Sequence, residues 1–574
     1  MGTLKLKEQG YIDTTAYGSG PTDSVIDRTE NAAVTRHRLE LGGKSIPYTA
    51  AAGHLVTVDP DTSQPAAKIF YVAYLADGAD ETNRPVTFFY NGGPGSSAVF
   101  VMLGSFGPVR IKDCLPAFTP APYTLEDNSD SLLDKSDLVF INPVGTGYSA
   151  AIAPRQNKDF WGVDQDAASL AQFIIRFLTV YRRWNSPKFL YGESYGTART
   201  AVLAWLLHED GIDLNGVVLQ SSILDYSDSN NDPVGLLPTL AANAYYHNRI
   251  RVAPKPATLE AFLNEMVLPF ADKDYAAAVN AITIPTPKPL PEWSAVVKTI
   301  ETLSSYLGIS PVVVTTWGLG AGMGNSFGTL FLLALLSDEG LALGAYDGRV
   351  TGIDTGIAAM ISPLSGANDP TIAAINGVYT ATWNRYLNEV LQFTALSSFT
   401  SLNNQAFLNW DFRHIDPTGA QKGTENLNVR QYLYTAGDLA AAMAVNVNLK
   451  VLSLNGYFDS VTPFYQTAGD LKNMPLLDAD IRKHNLTIRN YPSGHMIYLD
   501  DKSRTAMKAD LAAFYDSAFD AAPMRHNYRW LPPRVDGLPR EHQLWVYDAG
   551  VVARSGAIPS RRKEPSLRPT ANGD

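Results

Sequence analysis

Between Val34 and about Leu75, apolar and polar positions alternate, as in His37-Arg38-Leu39-Glu40-Leu41, Leu55-Val56-Thr57-Val58 and Lys68-Ile69-Phe70-Tyr71-Val72-Ala73-Tyr74. A period of two turns one set of side chains inward and predicts antiparallel strands leading into a sheet. Two continuous apolar runs follow, Val86-Thr87-Phe88-Phe89-Tyr90 and Leu138-Val139-Phe140-Ile141. Such runs mark central strands buried on both faces. From Asp166 to Tyr181 the spacing becomes helical, with Leu170, Phe173, Ile174, Phe177 and Leu178 on one side. Lys188-Phe189-Leu190-Tyr191 then reads as a strand, Thr197 to Leu207 as a helix, and Gly216-Val217-Val218-Leu219-Gln220 as a strand. Strands alternating with helices predict a mostly parallel sheet with helices on both faces.

Near Asp225 the alternation stops. Residues 226–446 carry few strand signals and several helical ones, a Pro-rich connector from Ile284 to Pro291, and a Gly-rich loop from Gly318 to Gly324. The strand pattern then resumes with Lys450-Val451-Leu452-Ser453-Leu454 and Leu486-Thr487-Ile488-Arg489-Asn490-Tyr491, and a last amphipathic helix is expected near Ala506 to Phe519. This resumption favours an insertion over a separate downstream domain. The expected organisation is a flexible N-terminal segment at 1–30, an α/β core at 31–225 and 447–522, an inserted cap at 226–446, and a C-terminal extension at 523–574. The end of that extension, rich in Pro, Arg, Ser and Lys, reads as disordered. There are no internal repeats.

With 574 residues the chain exceeds the usual size of one domain, which agrees with a core bearing a large insertion. A hydrophobic content of 45% and a charged content of 18% are those of an ordinary globular protein. The formal net charge of −11 argues against a nucleic-acid surface, which needs basic clusters. Cys114 is the one cysteine, so no intramolecular disulfide can form, and no Cys/His spacing suggests a metal. The longest apolar stretch, near Leu330 to Leu336, is too short to span a bilayer. No basic segment followed by an apolar run opens the chain. The expectation is a periplasmic or secreted protein whose signal peptide has been removed, or else a cytosolic one. Neither a cofactor nor a metal is expected.

Against this background, Gly192-Glu193-Ser194-Tyr195-Gly196 stands out, because it lies between a predicted strand and a predicted helix. In that context Gly-x-Ser-x-Gly is a nucleophile elbow: the turn is too tight for flanking side chains, and the serine is left at its apex. Such a serine needs a base and a group to orient the base, in the chain order Ser, Asp/Glu, His. Asp459 follows the strand ending at Leu454, and His495 follows the strand ending at Tyr491, beside Gly494. These two complete the candidate triad. A tetrahedral intermediate also needs preorganised N–H donors. One is expected from Tyr195, directly after the nucleophile. The other is expected from the glycine loop Asn91-Gly92-Gly93-Pro94-Gly95, which follows a central strand. That loop has neither Gly-Lys-Ser/Thr nor GxGxxG, which disfavours a phosphate cradle.

Five segments now stand together in order: Asn91-Gly92-Gly93-Pro94-Gly95-Ser96-Ser97, Pro143-Val144-Gly145-Thr146-Gly147-Tyr148-Ser149, Gly192-Glu193-Ser194-Tyr195-Gly196, Gly456-Tyr457-Phe458-Asp459 and Gly494-His495-Met496. The chain resembles the serine carboxypeptidases, peptidase family S10, and within them the bacterial, disulfide-poor branch. The resemblance runs from about Arg38 to Phe519. It implies an α/β-hydrolase fold with a helical cap, and removal of C-terminal residues from peptide substrates. It implies Ser194, Asp459 and His495 as the triad, and Gly93 and Tyr195 as oxyanion donors. Asn91, Gly92 and Glu193 would bind the substrate's free C-terminal carboxylate. Two positions depart from the well-studied eukaryotic members. Ser96 stands where they have a cysteine, and Ser105 where they have a second Glu that pairs with the Glu of the elbow. The same triad would serve an esterase or acyltransferase, and a catalytically dead binding protein of this fold is the remaining alternative.

Overall fold

The alternating N-terminal stretch forms three antiparallel strands, β1 (Ala32–Leu41), β2 (Lys44–Val58) and β3 (Pro65–Ala76). The apolar runs form β4 (Val86–Tyr90) and β5 (Asp137–Ile141), each buried along its whole length. Next come β6 (Lys188–Glu193), β7 (Gly216–Gln220), β8 (Lys450–Gly456) and β9 (Leu486–Tyr491). This computed structural model describes residues 6–519 except 79–82, 113–114, 228–231, 284–292, 355–368, 421–422 and 476. Cys114, the Pro-rich connector and the C-terminal extension 523–574 lie outside the described residues.

In the sheet the strands lie in the order β9-β8-β7-β6-β4-β5-β3-β2-β1, with a short strand at Ala150–Ala151 pairing with β3. From β9 to β5 all neighbours are parallel, and β3 joins β5 antiparallel. A mostly parallel sheet of this order, with a strand–serine–helix turn after β6, is the α/β-hydrolase fold.

Helices α1 (Val163–Val180) and α2 (Tyr195–Glu209) connect β5 to β6 and β6 to β7. Within the inserted stretch lie α3 (Pro233–Tyr246) and α4 (Pro370–Arg385), and after β9 comes α5 (Asp501–Phe519). Successive residues of a strand point to opposite faces. On β4 the Phe88 ring meets Phe177 of α1 at 5.5 Å, while the adjacent Thr87 hydrogen-bonds Tyr515 of α5 at 2.7 Å. Helices therefore cover both faces, as a strand buried along its whole length requires.

Between β7 and β8 no described residue adds a strand to this sheet. The inserted stretch packs in two places. Leu237 and Leu240 of α3 share an apolar cluster with Phe262, Leu303, Phe331 and, just after β8, Phe458. Tyr379 and Trp383 of α4, with Phe393, instead join the core of the sheet, where Phe393 meets Phe70 at 5.1 Å.

The segment expected to be flexible, 1–30, is tied in from Gln9 onward, where Gln9 pairs with Val34. Tyr11–Asp13 pairs in parallel with Phe393–Ala395. Asp13 is buried beside His54 and Lys68, and Lys68 also ion-pairs with Asp27. The reason is electrostatic: Lys68 lies fully buried in β3, and an unpaired buried ammonium is costly. The polar N-terminal residues supply its counter-charges.

Candidate active site

Strand β4 has β5 on one side and β6 on the other, so the chain's progress across the sheet reverses there. In open α/β sheets ligands bind beyond the carboxyl ends at such a reversal. The glycine loop leaves the end of β4, and the serine turn leaves the end of β6.

Ser194 has φ 61° and ψ −130°, a sparsely populated conformation for a residue with a side chain, and α2 starts at the next residue. Of the flanking glycines, Gly192 is required sterically and Gly196 is tightly packed. A Cβ on Gly192 would lie 2.2 Å from the Gly196 carbonyl oxygen, and one on Gly196 would lie 3.1 Å from that of Tyr90. Gly92 seats the glycine loop against this turn, since a Cβ there would stand 2.4 Å from the Tyr195 nitrogen. The Ser194 N–H is committed to the Gln220 carbonyl at 3.0 Å. Those of Gly93 and Tyr195 reach no protein acceptor among the described residues; that of Tyr195 opens α2, where unpaired N–H groups favour negative charge, and Gly93 lines the same cavity from the glycine loop.

Asp459, fully buried, accepts at Oδ1 from the Val461 and Thr462 N–H groups at 2.9 and 3.0 Å. Its Oδ2 accepts from the Thr462 hydroxyl at 2.5 Å and from His495 Nδ1 at 2.8 Å. These contacts leave Nε2 of His495 facing the cavity that Ser194 also lines. The Ser194 hydroxyl and the imidazole do not hydrogen-bond in this arrangement. The His495 backbone is held as well: its N–H donates to the Tyr346 carbonyl at 2.6 Å, and its carbonyl accepts from Ser221 Oγ at 2.6 Å. Tyr346 also packs edge-on to the ring at 5.2 Å. Burial lowers the pKa of this imidazole, but Asp459, and more weakly Glu193, outweigh that and hold it above its ordinary value.

The Glu193 carboxyl is buried next to the serine. Oε1 accepts from Asn91 Nδ2 at 2.9 Å and Oε2 from Gln220 Nε2 at 3.0 Å. Burial pushes this carboxyl up to about 7, against the opposing pull of His495 and the Asn91 hydrogen bond. Asn91 is fixed in turn, with Oδ1 accepting from the Val101 N–H at 3.1 Å. Ser105 is turned away, its hydroxyl bonded to the Val101 carbonyl, so Asn91, Gln220 and the Tyr498 hydroxyl are the groups that meet Glu193.

Residues 400–403 pin two loops at once. Asn403 N donates to the Gly95 carbonyl at 2.7 Å, and Asn403 Nδ2 donates to that of Gly145 at 2.8 Å. Gly147 N donates to Thr400 O at 2.8 Å. The segment Pro143 to Ser149, singled out in the sequence without a role, thus forms a support for the glycine loop.

The eight sequence-predicted positions lie in one place. Asn91, Gly92, Gly93, Glu193, Ser194 and His495 line a cavity of about 350 Å³, with Asp459 behind the imidazole and the Tyr195 N–H at the start of α2. Sequence reasoning missed Gln220, Thr462, Tyr346 and Arg199. A glutamine closing the apolar strand before Ser221, and a threonine three residues after Asp459, were available signals; Tyr346 had none. Among the described residues no group of three His, Cys, Asp or Glu is placed to hold a metal, and no helix is long and apolar enough to cross a membrane.

Residues 43–267 match the family model for serine carboxypeptidase. This stretch holds both glycine-flanked loops and the serine, but neither Asp459 nor His495. The pheromone-processing carboxypeptidase kex1 of Penicillium rubens is 30% identical over 169 residues, 29% of this chain and 25% of that protein. The lysosomal protective protein of Mus musculus is 27% identical over 185 residues, 32% of this chain and 35% of that protein. The matches thus span between a quarter and about a third of these relatives. The solved structure of Kex1(Δ)p, a prohormone-processing carboxypeptidase from Saccharomyces cerevisiae, aligns with a TM-score of 0.48 and 16% identity, covering 82% of this chain and 91% of that one. Over the matched stretch the chain is similar to serine carboxypeptidases.

Proposed function

We propose that this protein is a serine carboxypeptidase that hydrolyses the last peptide bond of its substrate through an acyl-enzyme. Ser194 Oγ attacks the scissile carbonyl while His495 Nε2 takes its proton. Asp459 Oδ2 holds Nδ1–H, fixing the tautomer and stabilising the imidazolium. The N–H groups of Gly93 and Tyr195 receive the oxyanion. As the C–N bond breaks, His495 returns the proton to the departing amine. Water then attacks the acyl carbonyl, giving its proton to His495, which passes it to Ser194 Oγ as the acyl–serine bond breaks, and the acid and free Ser194 are released.

One observation carries exopeptidase action over general hydrolysis: a buried carboxyl directly before the serine, hydrogen-bonded to Asn91 and pushed up to about 7. A hydrolase of esters has no use for it. Protonated, it donates to the free carboxylate of a substrate's last residue, with the Asn91 amide and the Gly92 backbone beside it. This gives the elbow Glu its function without a second acidic partner, which Ser105 cannot supply.

The test compares one N-blocked dipeptide as free acid, as C-terminal amide, and as the aryl ester of its first residue. Faster cleavage of the acid than the amide by at least about ten-fold, fading as pH rises past 7, is expected. Equal cleavage of acid and amide, with the ester far ahead, would make the protein an esterase or acyltransferase on the same triad. Labelling of Ser194 by a fluorophosphonate reports the live nucleophile in either case.

A further inference from the structure

The cavity over Ser194 is lined by one cation among the described residues, Arg430. Its acidic lining groups are already engaged. Glu193 accepts from Asn91 and Gln220. Asp369 caps α4, accepting from the N–H groups of Thr371 at 2.9 Å, Ile372 at 3.3 Å and Ala345 at 2.6 Å. Arg430 differs: no described carboxylate lies within ion-pair distance of it. It sits half-buried on the short turn Arg430–Tyr432, with its guanidinium over the ring of Tyr226 at 5.3 Å and that of Phe407 at 5.6 Å. Stacking holds the plane of the fork and leaves its edge, with the N–H donors, for a ligand.

Its wall of the cavity is distinct from the Asn91–Glu193 wall. Tyr226 packs in one apolar cluster with Ile223, Tyr195 and Trp410, around the start of α2. Asn91 and Glu193 face Val101 and Gln220 instead. Ser194 lines the same cavity as both walls, so a peptide whose last carboxylate lies at Asn91 and Glu193 has the Arg430 wall available to the residue that supplies the acyl group.

Resting on the carboxypeptidase reading, we propose that Arg430 selects substrates with an acidic side chain on the acyl side of the scissile bond. Glutamate fits this role: its carboxylate meets the guanidinium edge in a paired, charge-assisted contact, and its methylenes lie along Phe407 and Tyr226.

The test uses N-blocked X–Leu dipeptides and N-blocked X aryl esters, with X as Glu, Gln or Lys. The esters present the same acyl group and need no C-terminal carboxylate. On both series wild type should show kcat/KM for Glu above Gln by about ten-fold at 10 mM salt, narrowing several-fold at 0.5 M. Arg430→Gln should bring the Glu:Gln ratio to about one, and Arg430→Glu should place Lys above Glu. Melting of each variant checks its fold, and the salt dependence of wild type needs no variant. A flat Glu:Gln ratio in wild type, or one that survives Arg430→Gln, overturns the proposal. Uncleaved dipeptides with an intact ester ratio would overturn the carboxypeptidase reading and leave Arg430 its role.

Discussion

Arg199 NH1 donates to the Asn91 carbonyl at 2.5 Å, tying the second turn of α2 to the end of β4. Its guanidinium is fully buried, its Nε binds Asp166 at 2.5 Å, and it lies over the rings of Tyr90 and Tyr195 at 5.5 and 5.2 Å. Both halves of the proposed oxyanion site therefore rest on one side chain. Removing one partner of such a pair costs about 3–5 kcal/mol, because the other charge stays buried. Arg199→Met should lower stability by that amount and kcat with it. Adding Asp166→Leu removes the stranded carboxylate and should restore most of the stability, while kcat stays at least about ten-fold down, since the Asn91 carbonyl then has lost the donor that ties it to α2. Recovery of both quantities in the double variant would reduce Arg199 to a packing residue.

Ser194→Ala should lower kcat by about a million-fold, the oxyanion donors and binding leaving a residual rate about a thousand-fold over water. The backbone adds a second expectation. At φ 61° and ψ −130° any side chain is strained, and glycine is not. Ser194→Gly should therefore melt no lower than Ser194→Ala, although glycine is the less stabilising residue elsewhere. Thermal denaturation of the two variants decides it, and a clearly lower melt for the glycine variant would show that the turn is unstrained.

Glu193→Gln tests the grip on the C-terminus and carries a structural cost that can be read from its neighbours. One oxygen of Glu193 meets the Asn91 amide nitrogen and the other meets that of Gln220. A glutamine would turn its own NH₂ onto one of these donors. Gln220 cannot turn over without losing Tyr191 O–H at 2.5 Å, and Asn91 cannot without losing Val101 N–H at 3.1 Å. We expect a loss of about 1–3 kcal/mol in stability. For free-acid peptides KM in wild type should rise as pH passes about 7, where the Glu193 proton is lost, and the variant should show a flat profile. His495, held above its ordinary value, must be neutral to act, so kcat rises with pH in both proteins. An identical KM profile in wild type and variant would remove Glu193 from substrate binding.

Much of this site is legible in the sequence because steric demand selects glycine. A Cβ at Gly92 or Gly192 would fall well inside van der Waals contact of backbone atoms, so only glycine fits there, and Gly196 is tight as well. The central strands are legible because burial on both faces leaves them mainly apolar and without charge, as in β4 and β7. What pairs through space leaves no periodic mark. Arg199 reads as one polar residue in a helix, and its partner Asp166 lies in another helix. Asp13 and Asp27 look like parts of a solvated segment until Lys68 is seen to need them. Arg430 sits in a polar stretch without apolar spacing, and only the position of Tyr226 and Phe407 gives it an orientation. Two positions for α4, in the sheet's core, and α3, in its own cluster, are likewise a matter of tertiary packing that helical spacing does not encode.

His414 supplies the last expectation. Its Nδ1 lies 2.6 Å from Asp164 Oδ1 in the first turn of α1, and its Nε2 lies 2.8 Å from Asp438 Oδ2. Asp416 lies near Asp438 and adds to the negative field. With a carboxylate at each nitrogen, both must donate, and the ring is an imidazolium. Burial opposes the charge, but the two carboxylates outweigh it and push the imidazole up to about 10. A group whose pKa is raised in the folded state stabilises fully below its unfolded value and loses that contribution as pH climbs through the folded value. The window here runs from the ordinary 6.5 to about 10. Burial also raises the Asp438 carboxyl to about 6, a cost already in place below this window, so the loss across the window comes from His414 alone. The loss should be felt at the active site. Residues 400–411 lead directly to His414, Asp411 N donates to the Trp161 carbonyl at 2.9 Å, and Asn403 holds Gly95. Raising pH from 7 to 9.5 should therefore speed hydrogen exchange at 400–414 before the sheet opens, and lower the denaturation midpoint of wild type. His414→Asn has no charge to lose. Its midpoint should start lower at pH 7 and stay level over the same range. Parallel pH curves for the two proteins would show that His414 is neutral in the fold and that this clamp carries no charge.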